Sequence, residues 1–173
     1  NIYMYNIHPI LVHFPIALFF IYSVIKIFPF KKWFPNIAWR DIERFLLVFG
    51  VLGAFGALSS GETAEDLSGG NERLIETHAF FASFSSRVYM ILLLGEIVAY
   101  LNTKNYAFMQ IDFIKRIATW LEKLILNKNI SLILVILGFL SLFITGVLGG
   151  VLVYGTTADP LAPFILKILG LNI

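Results

Sequence analysis

The chain alternates four long apolar runs with short polar segments, and each run is long enough to cross a bilayer as a helix. A span needs about 20 mainly apolar residues to match a hydrocarbon core of about 30 Å. The first run goes from Pro9 to Ile27. Pro9 suits a first helical position, where a missing N–H costs nothing. His8 is then expected outside the regular helix, and Pro15 predicts a local kink. The second run, Ile42 to Ser60, carries Gly50, Gly53, Ala54, Gly56 and Ala57, small enough for close backbone or ligand packing. The third starts at Asn71, an N-cap with Glu72 in the first turn, and reaches Leu101. The fourth, Ile130 to Tyr154, holds no formal charge.

Between the third and fourth runs the period changes. From Tyr106 to Leu126, Phe108, Ile111, Ile114, Ile117, Ala118, Leu121 and Ile125 share one face, while Lys115, Arg116, Thr119, Glu122 and Lys123 are polar. This pattern predicts an amphipathic helix lying in the cytoplasmic membrane interface. The alternative is a helix packed on a soluble partner. The tail from Ala158 to Ile173 reads as a second, shorter interfacial helix. The first run lacks a basic leader and a small-residue cleavage site, so it reads as a retained helix. The expected fold is an all-α membrane protein, a four-transmembrane-helix bundle forming a single domain over residues 1–173.

Composition agrees. Of 173 residues, 58% are hydrophobic and 14% charged, against about 25% charged in soluble domains. A net charge of +2 does not suggest nucleic-acid binding. The chain has no cysteine. That excludes disulfides, thiolate metal sites, covalent c-type haem and cysteine-bound iron–sulfur clusters. Lys26, Lys31, Lys32, Arg40 and Arg44 fill the first connection, and Lys104, Lys115, Arg116, Lys123 and Lys128 the third. The opposite side has only Arg73 and Lys167. The positive-inside rule therefore predicts both termini outside (N-out, C-out) in the cytoplasmic, or inner, membrane. Trp33, Trp39 and Trp120 all fall on the basic side, as interfacial anchors would.

The extracytoplasmic side collects His8, His13 and His78 with Glu62, Glu65, Asp66, Glu72, Glu76 and Asp159. Histidines at helix ends also serve as interfacial anchors, and an acidic loop is commonly a solvated face. Depth adds weight. His13 lies roughly 6 Å past Pro9 and His78 roughly 10 Å past Asn71, on two helices that start on the same side. Two such imidazoles can take the axial positions of one b-type haem. Gly146, Gly149 and Gly150 of the fourth run, with the small residues of the second, would leave room for a macrocycle, although tight helix packing explains them too. His8 and His13 are five residues apart, about 140° around a helix, so they do not chelate from one face. If His8 bends inward, a three-histidine copper or zinc site becomes available, with Glu62 and Asp66 as further ligands.

Arg87 falls near the middle of the third run, where a charge needs a partner or a watery cavity. A haem propionate, a bound anion or carbonyls of another helix would serve, as would snorkelling. Glu96 lies about 180° away on the same helix and is expected simply to reach the cytoplasmic interface. No nucleophile triad or phosphate-cradling loop is visible, so redox or binding outranks hydrolysis.

The run His8-Pro9-Ile10-Leu11-Val12-His13-Phe14-Pro15-Ile16-Ala17 resembles the opening of a bacterial integral membrane family, domain of unknown function 2231. Gly61-Glu62-Thr63-Ala64, His78-Ala79 and Gly149-Gly150-Val151-Leu152-Val153-Tyr154 follow in the family's order and cover nearly the whole chain. Relatives often have Glu where Val151 stands. Many continue after the tyrosine with a basic residue and His-Gly, where this chain has Gly155-Thr156-Thr157, so a ligand role for that histidine does not transfer. The family is similar to proteins joined to, or encoded beside, Rieske or c-type cytochrome modules, which implies an electron-transfer setting.

The expectation is a non-catalytic electron-transfer subunit. It binds one b-type haem through His13 and His78, with His8 as substitute or further donor and Arg87 offsetting anionic charge. Electrons would pass between a quinol pool and an extracytoplasmic redox partner such as a c-type cytochrome or Rieske protein. The alternatives are a copper- or zinc-binding membrane protein, and a cofactor-free structural subunit of a larger membrane complex.

Overall fold

A computed structural model describes residues 7–68, 71–104, 106–157 and 159–171, with 62–68 as helix backbone only. Its helices are α1 (His8–Ile27), α2 (Phe30–Trp33), α3 (Trp39–Ser68), α4 (Glu72–Asn102), α5 (Asp112–Ile125), α6 (Lys128–Tyr154) and α7 (Ala162–Ile168). A 3₁₀ turn, Ala107–Gln110, precedes α5. Four of these, α1, α3, α4 and α6, are long and apolar enough to cross a membrane.

The helix ends follow local chemistry. The Asn71 side chain accepts from the Leu74 N–H at 3.2 Å, which caps α4. Asn127 accepts from Asn129 N and Ile130 N at 3.0 and 3.3 Å, which caps α6. Gly155, with φ of +80°, ends α6 in a conformation that glycine adopts without strain. His8 is the first residue of α1, so it belongs to the helix where an unwound position was expected.

Around the bundle the order is α1, α3, α4, α6. Packing is closest within the pairs α1/α3 and α4/α6 and lighter across the seams α3/α4 and α1/α6. α1 and α4 therefore stand diagonally. The core at mid-height is aromatic. Phe19 stacks on Tyr89 with centroids 4.0 Å apart, and Tyr22 meets Tyr89 edge-on at 6.1 Å. All three rings are buried, with Leu47, Leu92 and Val135 around them. Ser23 completes this plug. Its hydroxyl lies 2.8 Å from both the Phe19 carbonyl and the Tyr89 hydroxyl, linking the diagonal helices.

The outward faces are apolar. Leu52, Phe55 and Ile133 are each 57–60% exposed, beside Phe20, Phe45, Phe49 and Leu140. Water penalises continuous apolar surface of this extent, whereas lipid does not. α7 folds back on the bundle. Ala162, Leu166 and Leu171 are buried against Leu74, Val147, Leu148 and Val151, while Phe164 and Ile168 face outward. α5 packs Ala118 and Ile125 towards α4, where Ile125 lies against Gly95. Asn102 donates to Glu122 across the same contact at 2.6 Å.

Candidate functional site

Polar chemistry gathers at the two ends of the bundle, on either side of the aromatic plug. At the basic end, two carboxylates are buried. Glu43 of α3 is 2% exposed and lies 3.4 Å from Lys26 Nζ and 2.7 Å from Lys31 Nζ. The Lys31 contact is an ion pair whose angle falls outside hydrogen-bond geometry, since Glu43 Oε1 has no hydrogen-bond partner among the described residues. Glu96 of α4 is 6% exposed and accepts from Arg40 Nε at 3.1 Å and Arg44 Nε at 2.9 Å. Glu96 does not reach outward as expected. It turns inward and ties α4 to α3. The sequence holds one sign of this pairing: Arg40 and Arg44, four apart, share a face of α3.

At the opposite end each diagonal helix supplies an anchored imidazole. His8 of α1 is half-buried, and its Nδ1 lies 2.8 Å from Ser60 Oγ on α3. The Ser60 hydroxyl donates to the Ala57 carbonyl at 2.9 Å, so the His8 ring is the donor to Ser60. His78 of α4 is half-buried, and its Nδ1 donates to the Thr145 carbonyl on α6 at 3.1 Å. That bond fixes the tautomer and presents Nε2 as the acceptor or ligand atom. Gly149, one turn along α6, seats the ring: a Cβ there would lie 3.2 Å from His78 Cε1. One turn below, the Ser141 hydroxyl donates to the Phe81 carbonyl at 2.9 Å and continues this polar seam. His8 and His78 are within electrostatic reach of each other.

His13 is placed differently. It is exposed, and its Nδ1 bonds back to the Pro9 carbonyl of its own helix. The expected pairing of His13 with His78 is therefore not the one the fold assembles; His8 turns inward in its place. The angular separation of His8 and His13 was legible in the sequence, but which of them faces inward was not. Among the described residues no group of three or more His, Asp or Glu could hold a metal ion. Glu62 and Asp66 lie outside the residues whose side chains are described.

Arg87 is exposed and lies in an open groove along the α3/α4 seam, opposite Val51, Ala54, Phe55 and Leu58. It makes no hydrogen bond or ion pair among the described residues.

Four apolar spans, a sealed waist and two polar ends define a multi-pass helical membrane bundle. No family model matches the chain, nor does any curated protein or solved structure.

Proposed function

We propose that this chain is a membrane electron-transfer subunit that carries one b-type haem at the histidine end, with His8 and His78 as axial ligands. The observation that supports this reading is a pair of imidazoles from diagonal helices, each held through Nδ1 at the same end of the bundle. A donor bond at Nδ1 is the usual preparation of a ligating histidine, because it sets the ring and raises its basicity. Two histidines suffice for a haem, which needs no third protein ligand. The lighter seams between the helix pairs are where a flat macrocycle would enter. When bound, such a haem exchanges single electrons at its iron, and the anchored rings tune its potential.

The basic end faces the cytoplasm in this reading, both termini lie outside and α5 lies in the inner interface, all on the distribution of Lys and Arg. The proposal includes membership of the family resembled by the His8–Ala17 motif. Partners are then a quinol pool and an extracytoplasmic redox protein.

An absorption spectrum of the purified chain, produced with haem supply, tests the reading. A Soret band and a reduced α-band of b-type are expected. His8→Ala and His78→Ala each lose them, and His13→Ala keeps them. A colourless, folded, haem-supplied protein overturns the proposal. Loss in His13→Ala with retention in His8→Ala restores the other ligand pair and overturns this one. Stoichiometric copper or zinc without haem would mark a metal-binding protein instead.

A further inference from the structure

Arg87 and the groove around it are unused by the histidine site. We propose that the α3/α4 groove binds one acidic phospholipid, its anionic head held by Arg87 and Ser83 and one acyl chain laid along Val51, Ala54, Phe55 and Leu58.

The argument begins with depth. Glu96 and its arginines mark the basic boundary of the bundle. Arg87 stands nine residues from Glu96 on α4, roughly 14 Å along the axis, near the middle of a core about 30 Å thick. A cation facing lipid at that depth costs about 2.5–3.5 kcal/mol or more. Helical side chains lean towards the N-terminus, so Arg87 leans towards the histidine end and towards Ser83, one turn away. Ser83 lines the same groove. Its neighbours Ser85 and Ser86 both donate to the Ala82 carbonyl, at 3.0 and 2.8 Å. Ser83 makes no such bond among the described residues. Two donors without acceptors thus converge on one stretch of the seam.

The other wall is apolar, and Leu58 and Phe55 are exposed along it. The groove has a volume of about 200 Å³, below the roughly 300 Å³ at which compact small-molecule pockets begin. It suits the width of a chain and lies open to the bilayer. Ser83 sits roughly 20 Å above the Glu96 layer, so a head drawn about one helical turn below the histidine-end boundary meets both donors. The lipid comes from the leaflet at that end. The inference does not depend on haem.

The full chain, purified and washed with detergent, is offered phosphatidylglycerol or phosphatidylcholine with identical acyl chains, and retained lipid is counted by native mass spectrometry. One phosphatidylglycerol per chain is expected, retained about tenfold better than phosphatidylcholine, since the charged hydrogen bonds are the difference. Arg87→Gln removes the preference, Ser83→Ala weakens it, Arg87→Lys keeps part of it, and Arg73→Gln leaves it unchanged. Inorganic phosphate does not displace the lipid, because it lacks the chain. Should Arg87→Gln fail to fold, Leu58→Trp fills the groove and must evict the lipid. Equal retention of the two lipids by the native chain overturns the proposal, as does full retention by either groove variant. So does a dimer that forms without bound lipid and is lost in Arg87→Gln, which would show that a second copy neutralises the arginine.

Discussion

A glycine's value depends on what stands over it, and α3 offers a controlled comparison. A Cβ on Gly50 would lie 2.5 Å from Phe19 Cε1, and that ring is held from its other side by Tyr89. Phe19 cannot retreat. Gly56, two turns on, would meet nothing within 4 Å. Gly50→Ala should therefore destabilise the bundle by about 1–3 kcal/mol through overpacking. Gly56→Ala should be neutral or slightly stabilising, because alanine is the better helix former. Thermal unfolding of both variants in one detergent checks this; equal shifts would mean that the Phe19 contact is not what Gly50 serves. Residues also mark the limit of sequence reading. α1 is apolar nearly all round, so no stripe shows which side faces the core. His8 and His13 can be placed 140° apart without knowing which turns inward. That choice is made by α3, where Ser60 and Gly61 receive His8.

At the scale of elements, the pattern of runs located four helices because length and hydropathy alone decide whether a segment can span. The apolar limits agree within three residues at most ends. The exception is α3, which starts at Trp39 and continues to Ser68. Its last turns are polar, and a helix that leaves an apolar run gives no hydropathic sign of continuing. The ties between elements were less legible still. Glu96 reads as an isolated acid until α3 brings two arginines to it. Removing its negative charge leaves Arg40 and Arg44 without their shared counter-ion beside the core. Glu96→Gln should cost about 1–2 kcal/mol, less than a fully buried pair, because both arginines keep some contact with water. Glu96→Gln combined with Arg44→Gln should recover part of the loss. Unfolding of the single and double variants measures the coupling, and strict additivity would show that the pair contributes no coupling energy.

For the whole molecule, the absence of cysteine is an experimental gift, since any introduced thiol is the sole one. Lys32→Cys and Glu76→Cys place exposed thiols at opposite ends of the bundle. In intact cells a membrane-impermeant maleimide should label Glu76→Cys at once and Lys32→Cys only after the membrane is opened. The reverse order would invert the proposed orientation and place the histidine end in the cytoplasm. Fold class was readable from the runs because lipid imposes so few solutions: apolar runs of about 20 residues satisfy their backbone as helices, whereas barrel strands are about half that length.

The aromatic plug has a consequence for how the protein is free to change. Among the described residues no continuous run of hydrogen bonds or ion pairs passes the Phe19, Tyr22 and Tyr89 plug from the carboxylates below to the imidazoles above, and His78 stands 18 residues from Glu96, roughly 27 Å. Groups so separated, with no shared partner, contribute independently. The ion-paired end and the histidine end can therefore diverge without consulting each other, as though two small proteins had been welded end to end.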